Sequence, residues 1–322
     1  MLVNILYLTQ RRKHFSNLIF YILKRCNFKD FNITVCGVEN IDADEARDVC
    51  NVAKEMGLNA TTLITKYGHT NYMDKIREAV NLLYKYTIKM DEDIFMGPRA
   101  WDYFFNSLQF LDNEDNILIA PTLSTGIPTC DTFIEYNFTP EEKQEIFEIF
   151  SKTQIPDLWD ASYQVLRDEI ATNGYTTAGY FAAVKNIPHY YKGIHPIRIN
   201  IDAIKYINSK IENKIDLFLE NREFFIEELT RPYLCNSFFG IKTDHWKRII
   251  DDRSLSRDNF DEVTINNYRD LTNKKFLTIP NSFAIHTLYN TLHCEMNLPL
   301  KEMNELENSF IEIVRDKVKS LI

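Results

Sequence analysis

Residues 86–96 read YTIKMDEDIFM. A short, mostly apolar, β-favouring run ends in three consecutive acids, Asp91, Glu92 and Asp93, and apolar residues resume at once. Carboxylates are expensive to desolvate, so acids flanked by core-forming text need water, a partner or a metal. In an extended chain, side chains two apart point the same way. Asp91 and Asp93 therefore share a side, and Glu92, aimed oppositely, is expected to be structural. Such an aspartate pair suits an oxygen-coordinated Mg²⁺ or Mn²⁺ bridging two phosphates. The chain holds another Asp-x-Asp, Asp42 and Asp44, which reads as a helix start favoured by the dipole.

Working outward, strands alternate with helices. VNILYLT (3–9), NITVCGVE (32–39), ATTLITK (60–66), YTIKMD (86–91) and NILIAPTL (116–123) read as strands. Helices are expected over 14–26, over 42–57 with Gly57 closing it, and over 70–86. This alternation predicts an α/β fold with a parallel sheet core, in which ligands bind beyond the carboxyl ends of the strands. After residue 139 the text turns helical. Thr139 caps and Pro140 opens a helix, helical text runs to about 185, and isoleucines at 201, 204, 207, 211 and 215 mark one face of a long helix over 201–225. CNSFFGIKTDHWKRII (235–250) returns to strand then helix, and an amphipathic helix closes the chain over 306–322.

At 322 residues the chain can bury a sizeable core, and 45% hydrophobic with 26% charged residues is a globular composition. The net charge of −9 does not favour holding polyanions. MLVNILYLTQRRKHF does not read as a signal peptide, because its basic cluster follows a short apolar run. No stretch approaches a membrane span of about 20 apolar residues. Six cysteines without a CxxC pair are expected to be reduced and buried. A cytoplasmic protein without a membrane anchor is expected.

YTIKMDEDIFM resembles the Asp-x-Asp segment of GT-A-fold, nucleotide-sugar-dependent glycosyltransferases. LTQRR after the first strand, CGVEN after the second and NYMDKIREAVNLLYKY before the fourth follow in the family's order. NSFFGIKTDHWKRI resembles its acceptor-side strand and helix, NFDEVTINNY its acidic motif, and NSFAIHTLYN its late histidine. The resemblance covers about 1–135 and 230–295. It implies a Rossmann-like, mixed, mainly parallel sheet flanked by helices. Residues 1–135 would form the nucleotide-sugar half, 136–230 a mainly helical insertion with an acceptor-side loop, and 231–322 the acceptor and catalytic segment that completes the sheet.

The resemblance implies a metal-dependent transferase that moves a sugar from a nucleotide-diphosphate donor, a UDP-sugar being favoured, to a hydroxyl of a glycan, a protein or a hydroxylated base in DNA. Asp91, Asp93 and His286 are the candidates for Mn²⁺ or Mg²⁺, with Asp91 also facing the donor. Thr9, Arg11, Arg12, Glu39 and Lys75 are donor-side candidates; guanidinium suits phosphate. Asp261 and Glu262 are candidates for the base that deprotonates the acceptor. Their Asp-Glu order departs from the Glu-Asp of many members and leaves open which of them acts. Acceptor-side candidates are Asp131, with Ser124 and Thr125, and His195 and Arg198 of the aromatic and basic stretch PHYYKGIHPIR. The remaining alternatives are a nucleotidyltransferase sharing sheet and acidic site, and a catalytically inactive nucleotide- or sugar-binding module.

Overall fold

Val3–Thr9 forms β1, buried at every position because both faces of the sheet are covered. It lies between β2 (Phe31–Gly37) and β4 (Tyr86–Asp91), parallel to both, and β3 (Ala60–Thr62) extends the parallel block outside β2. On the other side of β4 one long strand is reversed. β8 (Phe238–Lys242) is antiparallel to β4 and to β6 (Asn116–Leu123), and β6 runs parallel to β9 (Lys275–His286). The short strands β5 (Ile94–Phe95) and β7 (Glu227–Glu228) run antiparallel to β9. The order is β3-β2-β1-β4-β8-β6-β9-β5, a mixed, mostly parallel sheet flanked by helices. This is a computed structural model. It describes residues 2–9, 13–38, 43–64, 72–126, 129–153, 197, 200–219, 223–229, 234, 237–252, 254–255, 261–287 and 299–321.

Period-2 alternation along β1 divides the core into two layers. Val3, Ile5 and Tyr7 join a cluster roofed by α1 (Lys13–Arg25), α2 (Ala43–Glu55) and α4 (Pro98–Ser107). Leu6 and Leu8 join a second cluster with α3 (Tyr72–Ala79), α9 (Thr243–Asp251) and α10 (Asp261–Thr272) through Met73, Ile76, Trp246, Ile249 and Ile265. A 3-10 turn (Leu108–Asp112), α5 (Thr129–Asn137), α6 (Pro140–Ser151), α7 (Ile201–Asn213), α8 (Ile215–Leu219) and α11 (Leu300–Leu321) complete the described elements. Cys26, Cys36, Cys50 and Cys130 are buried thiols.

Local signals account for several element ends. Gly57 takes φ +81, and the bonds Gly57 N–H to Lys54 O and Leu58 N–H to Ala53 O close α2 in a Schellman motif. Thr139 and Glu142 form a reciprocal capping box ahead of α6, with Pro140 in its first turn.

Elsewhere the elements differ from the expectation. The helix expected to reach residue 86 stops at Ala79, because the Asn81 side chain accepts from Leu83 N–H and turns the chain, leaving Leu82 and Leu83 exposed. The long helix expected over 201–225 breaks at Lys214 into α7 and α8. The Lys214 ammonium reaches Asn137 O and the Glu142 carboxylate, tying the break to the start of α6. The third strand is shorter than expected. α4, with Trp101, Phe104 and Phe105 in the core, and the full length of β9 were not among the expected elements. The helical text expected from 154 to 185 lies outside the described residues. No helix among the described residues is long and apolar enough to cross a membrane.

Candidate functional site

The carboxyl ends of β1 and β4 lie side by side, with Leu8 opposite Asp91. Alternation then sends the acids to different faces. Glu92 follows Tyr86, Ile88 and Met90 toward the first core layer, where it is buried and accepts from Thr9 Oγ1 at 2.7 Å. Asp91 follows Lys89 onto the second face, with Leu6 and Leu8 beside them on β1. Lys89 Nζ donates to Asp91 Oδ1 at 2.8 Å, with its side chain 1% exposed against 34% for Asp91. The Lys89 stem is buried with the apolar residues around it while its ammonium meets the carboxylate, an arrangement that long cationic side chains adopt. Asp91 stays partly exposed, but its surroundings strip away much of its hydration. Desolvation is the largest effect on its carboxyl and raises the pKa, the neighbouring Asp93 charge raises it further, and Lys89 and His286 oppose the rise. The two aspartates and the histidine thus lie within electrostatic reach of one another.

Asp93 occupies the turn between β4 and β5. β5 zips onto the end of β9, Ile94 opposite His286 and Phe95 opposite Ile285, and Thr287 N–H donates to Asp93 O at 3.1 Å. That backbone pairing places the His286 Nε2 3.7 Å from Asp93 Oδ1. β9 reaches the site through an irregularity. Ile279 pairs with Pro121 and Ala284 with Leu123, so four residues of β9 span one residue of β6. Within this bulge Phe283 takes φ 51, an uncommon conformation for a bulky residue, while its ring stays in the core 5.4 Å from the Phe133 ring. The bulge re-aims the last residues of β9 toward the acids.

β6 holds the other side of His286. Ser124 Oγ accepts from His286 N–H at 3.0 Å and lies 3.2 Å from His286 O. Thr125 Oγ1 lies 2.9 Å from His286 O and 3.0 Å from Nδ1. Both side chains are buried. The turn that follows needs glycine: a Cβ on Gly126 would stand 2.7 Å from the Leu123 Cβ. Ser124 and Thr125, read as acceptor-side candidates, thus serve His286 in the structure. Lys89 escaped the sequence reading altogether, although a lysine inside an apolar strand two residues before an aspartate was a usable signal.

Thr9 is fully buried beneath the site. Lys75 is buried on α3, its Nζ donating to Gly37 O at 2.9 Å, at the carboxyl end of β2. Asp131 lies in the first turn of α5. Asp261 and Glu262 head α10, which packs through Ile265 on the sheet face that carries Asp91; the placement of their side chains lies outside the description. Arg11, Arg12, Glu39, His195 and Arg198 lie outside the described residues.

Among the described residues no three His, Cys, Asp or Glu side chains form a ready-made metal-binding group. Asp93 and His286 nevertheless stand close to the separation of two ligands of one ion. With metal–ligand bonds of about 2.1 Å, octahedral neighbours stand about 3 Å apart, so the pair, 3.7 Å apart, would close by a small side-chain movement to share one ion. No family model matches the chain, and no curated protein is found that is similar to it.

Proposed function

We propose that the chain is a divalent-metal-dependent glycosyltransferase of GT-A type, taking its sugar from a nucleotide-diphosphate donor, a UDP-sugar being favoured, and passing it to a hydroxyl acceptor. The observation that carries this is the convergence of Asp91 and Asp93 with His286 of β9, at the carboxyl end of a mostly parallel sheet where ligands of α/β folds bind. The order of strands and helices up to β4, and the strand–helix pair β8 and α9, are what the resemblance implies.

In this proposal Asp93 and His286 would hold Mn²⁺ or Mg²⁺, and Asp91 would face the ion or the donor ribose. Bound there, the ion would neutralise charge on the departing diphosphate. Lys89 orients Asp91 and opposes the rise in its pKa that loss of hydration causes. Thr9 holds Glu92 inward, so that the third acid stays out of the ligand set. Asp261 or Glu262, at the head of a helix on the Asp91 face, would take the proton of the attacking hydroxyl.

The test is a melting-temperature titration with UDP, with and without Mn²⁺, followed by a screen of nucleotide sugars for turnover. A ligand at 100 times its Kd stabilises by about 2.7 kcal/mol, so a metal-dependent rise is expected for wild type and none for Asp93→Asn. Equal shifts in the two proteins overturn the proposal. Pyrophosphate release from a nucleoside triphosphate would favour the nucleotidyltransferase instead.

A further inference from the structure

We infer that Thr125 is a positioning residue that fixes His286 in the tautomer protonated on Nδ1, so that Nε2 presents its lone pair to Asp93. The inference bears on the site proposed above, but its main readout is independent of that function.

The argument counts protons. The Thr125 hydroxyl carries one proton and touches two groups, His286 O at 2.9 Å and His286 Nδ1 at 3.0 Å. A backbone carbonyl can only accept. If the hydroxyl gave its proton to Nδ1, two oxygen lone pairs would face each other at 2.9 Å inside a buried contact. Giving the proton to the carbonyl leaves the Thr125 oxygen free to accept, and the nitrogen beside it must then be N–H. With Nδ1 protonated, a neutral ring has its bare nitrogen at Nε2, the atom 3.7 Å from Asp93 Oδ1. In that tautomer Nε2 can accept, as a metal-ligating imidazole must.

Ser124 and Thr125 divide the work. Ser124 bonds the backbone of His286 on both sides, through N–H at 3.0 Å and O at 3.2 Å, and does not touch the ring. Thr125 alone of the two reaches the ring. Side chains that bond the far nitrogen of a ligating histidine orient it, and their loss typically costs 10–100-fold in metal affinity. The same clamp ties the end of β6 to the end of β9, which the bulge at Phe283 has redirected.

The experiment is long-range ¹H–¹⁵N NMR on the full chain labelled with ¹⁵N-histidine, without metal and well above the usual imidazole pKa. His286→Asn assigns the signals. Wild type is expected to show a protonated Nδ1 and a bare Nε2. Thr125→Ser should keep that pattern and Thr125→Val should lose it, with a mixed or reversed tautomer. Ser124→Ala should leave it in place. Titration with Mn²⁺ alone should give about 10–100-fold weaker binding for Thr125→Val and near wild-type binding for Thr125→Ser. A wild-type ring protonated on Nε2 overturns the inference, even if Thr125→Val fails to fold. So does an unchanged tautomer in a folded Thr125→Val. The expected tautomers without any Mn²⁺ binding would uphold the role of Thr125 and overturn the metal site.

Discussion

Two clusters with similar ingredients stand at opposite ends of the sheet. At the amino end, Glu114 receives Lys242 Nζ at 2.8 Å and pairs with His245 Nε2 at 2.9 Å, while its backbone oxygen accepts from Lys274. Lys242 and His245 pull the Glu114 carboxyl down to about 2, and burial lowers the His245 ring. At the carboxyl end, Asp91 and Asp93 stand together with Lys89 and His286, and the Asp91 pKa is raised by burial and by its neighbour. The Glu114 carboxylate is held by the donors around it and stays largely exposed. Asp91, 34% exposed, is desolvated beside a second carboxylate, which raises its pKa and favours an added positive charge. Composition alone does not separate the clusters; the burial of the carboxylate does, 34% exposed at Asp91 against 63% at Glu114.

Four predictions would break or sharpen that contrast, the largest first. Asp261→Asn or Glu262→Gln, whichever removes the acceptor base, should cost about 10²–10⁴ in turnover while donor affinity is retained. If both keep near wild-type rates, the base lies elsewhere, and retention of anomeric configuration in the product, read by NMR, would explain why none is needed.

Lys89→Met should destabilise the metal-free protein by about 1–3 kcal/mol, less than for a fully buried pair because Asp91 is one-third exposed. Mn²⁺ should recover part of that loss, so its stabilising increment should exceed the one in wild type. An increment no larger than wild type's would show that Lys89 and the ion do not share Asp91.

Between the two ends, Gly240→Ala is a control for packing alone. A Cβ there would stand 2.4 Å from Leu108 Cδ2, and overpacking typically costs about 1–3 kcal/mol. Urea midpoints should fall without any change in Mn²⁺ affinity. A selective loss of metal binding would mean that β8 transmits strain to the site.

The smallest effect is the pH response of the amino-end cluster. The depressed Glu114 carboxyl contributes stability that is present above its ordinary pKa near 4.5 and is lost as pH falls toward about 2. The lowered His245 ring acts in the same direction: the unfolded chain takes up a proton below about 6.5, where the folded ring resists, so stability again falls with pH. Glu114→Gln should flatten the acid limb of a urea-midpoint-against-pH curve by a small amount, since Glu114 is largely solvent-exposed. Mn²⁺ binding at neutral pH should not change. An unaltered acid limb would place the acid sensitivity at some other group.

What the sequence determined by itself was local. Apolar runs separated by amphipathic stretches set the parallel strands β1 to β4, Gly57 and the Thr139–Pro140 pair set helix ends, and the break from apolar to acidic text placed Asp91 to Asp93 at a strand end. Each of these depends on side-chain period, a glycine at positive φ or a cap within a few residues. The rest was decided across the chain. The reversed strand β8 between β4 and β6, the bulge that turns β9, the bond from Thr125 to His286 and the approach of His286 to Asp93 join residues more than 100 positions apart. No local pattern encodes which strand a segment will pair with or in what register, because backbone hydrogen bonds form equally well in many registers and only burial of the whole sheet selects among them. For the same reason the sequence could mark Lys89 as unusual but could not show that it meets Asp91: that contact exists only once β4 is extended, with its lysine face covered by the second core layer.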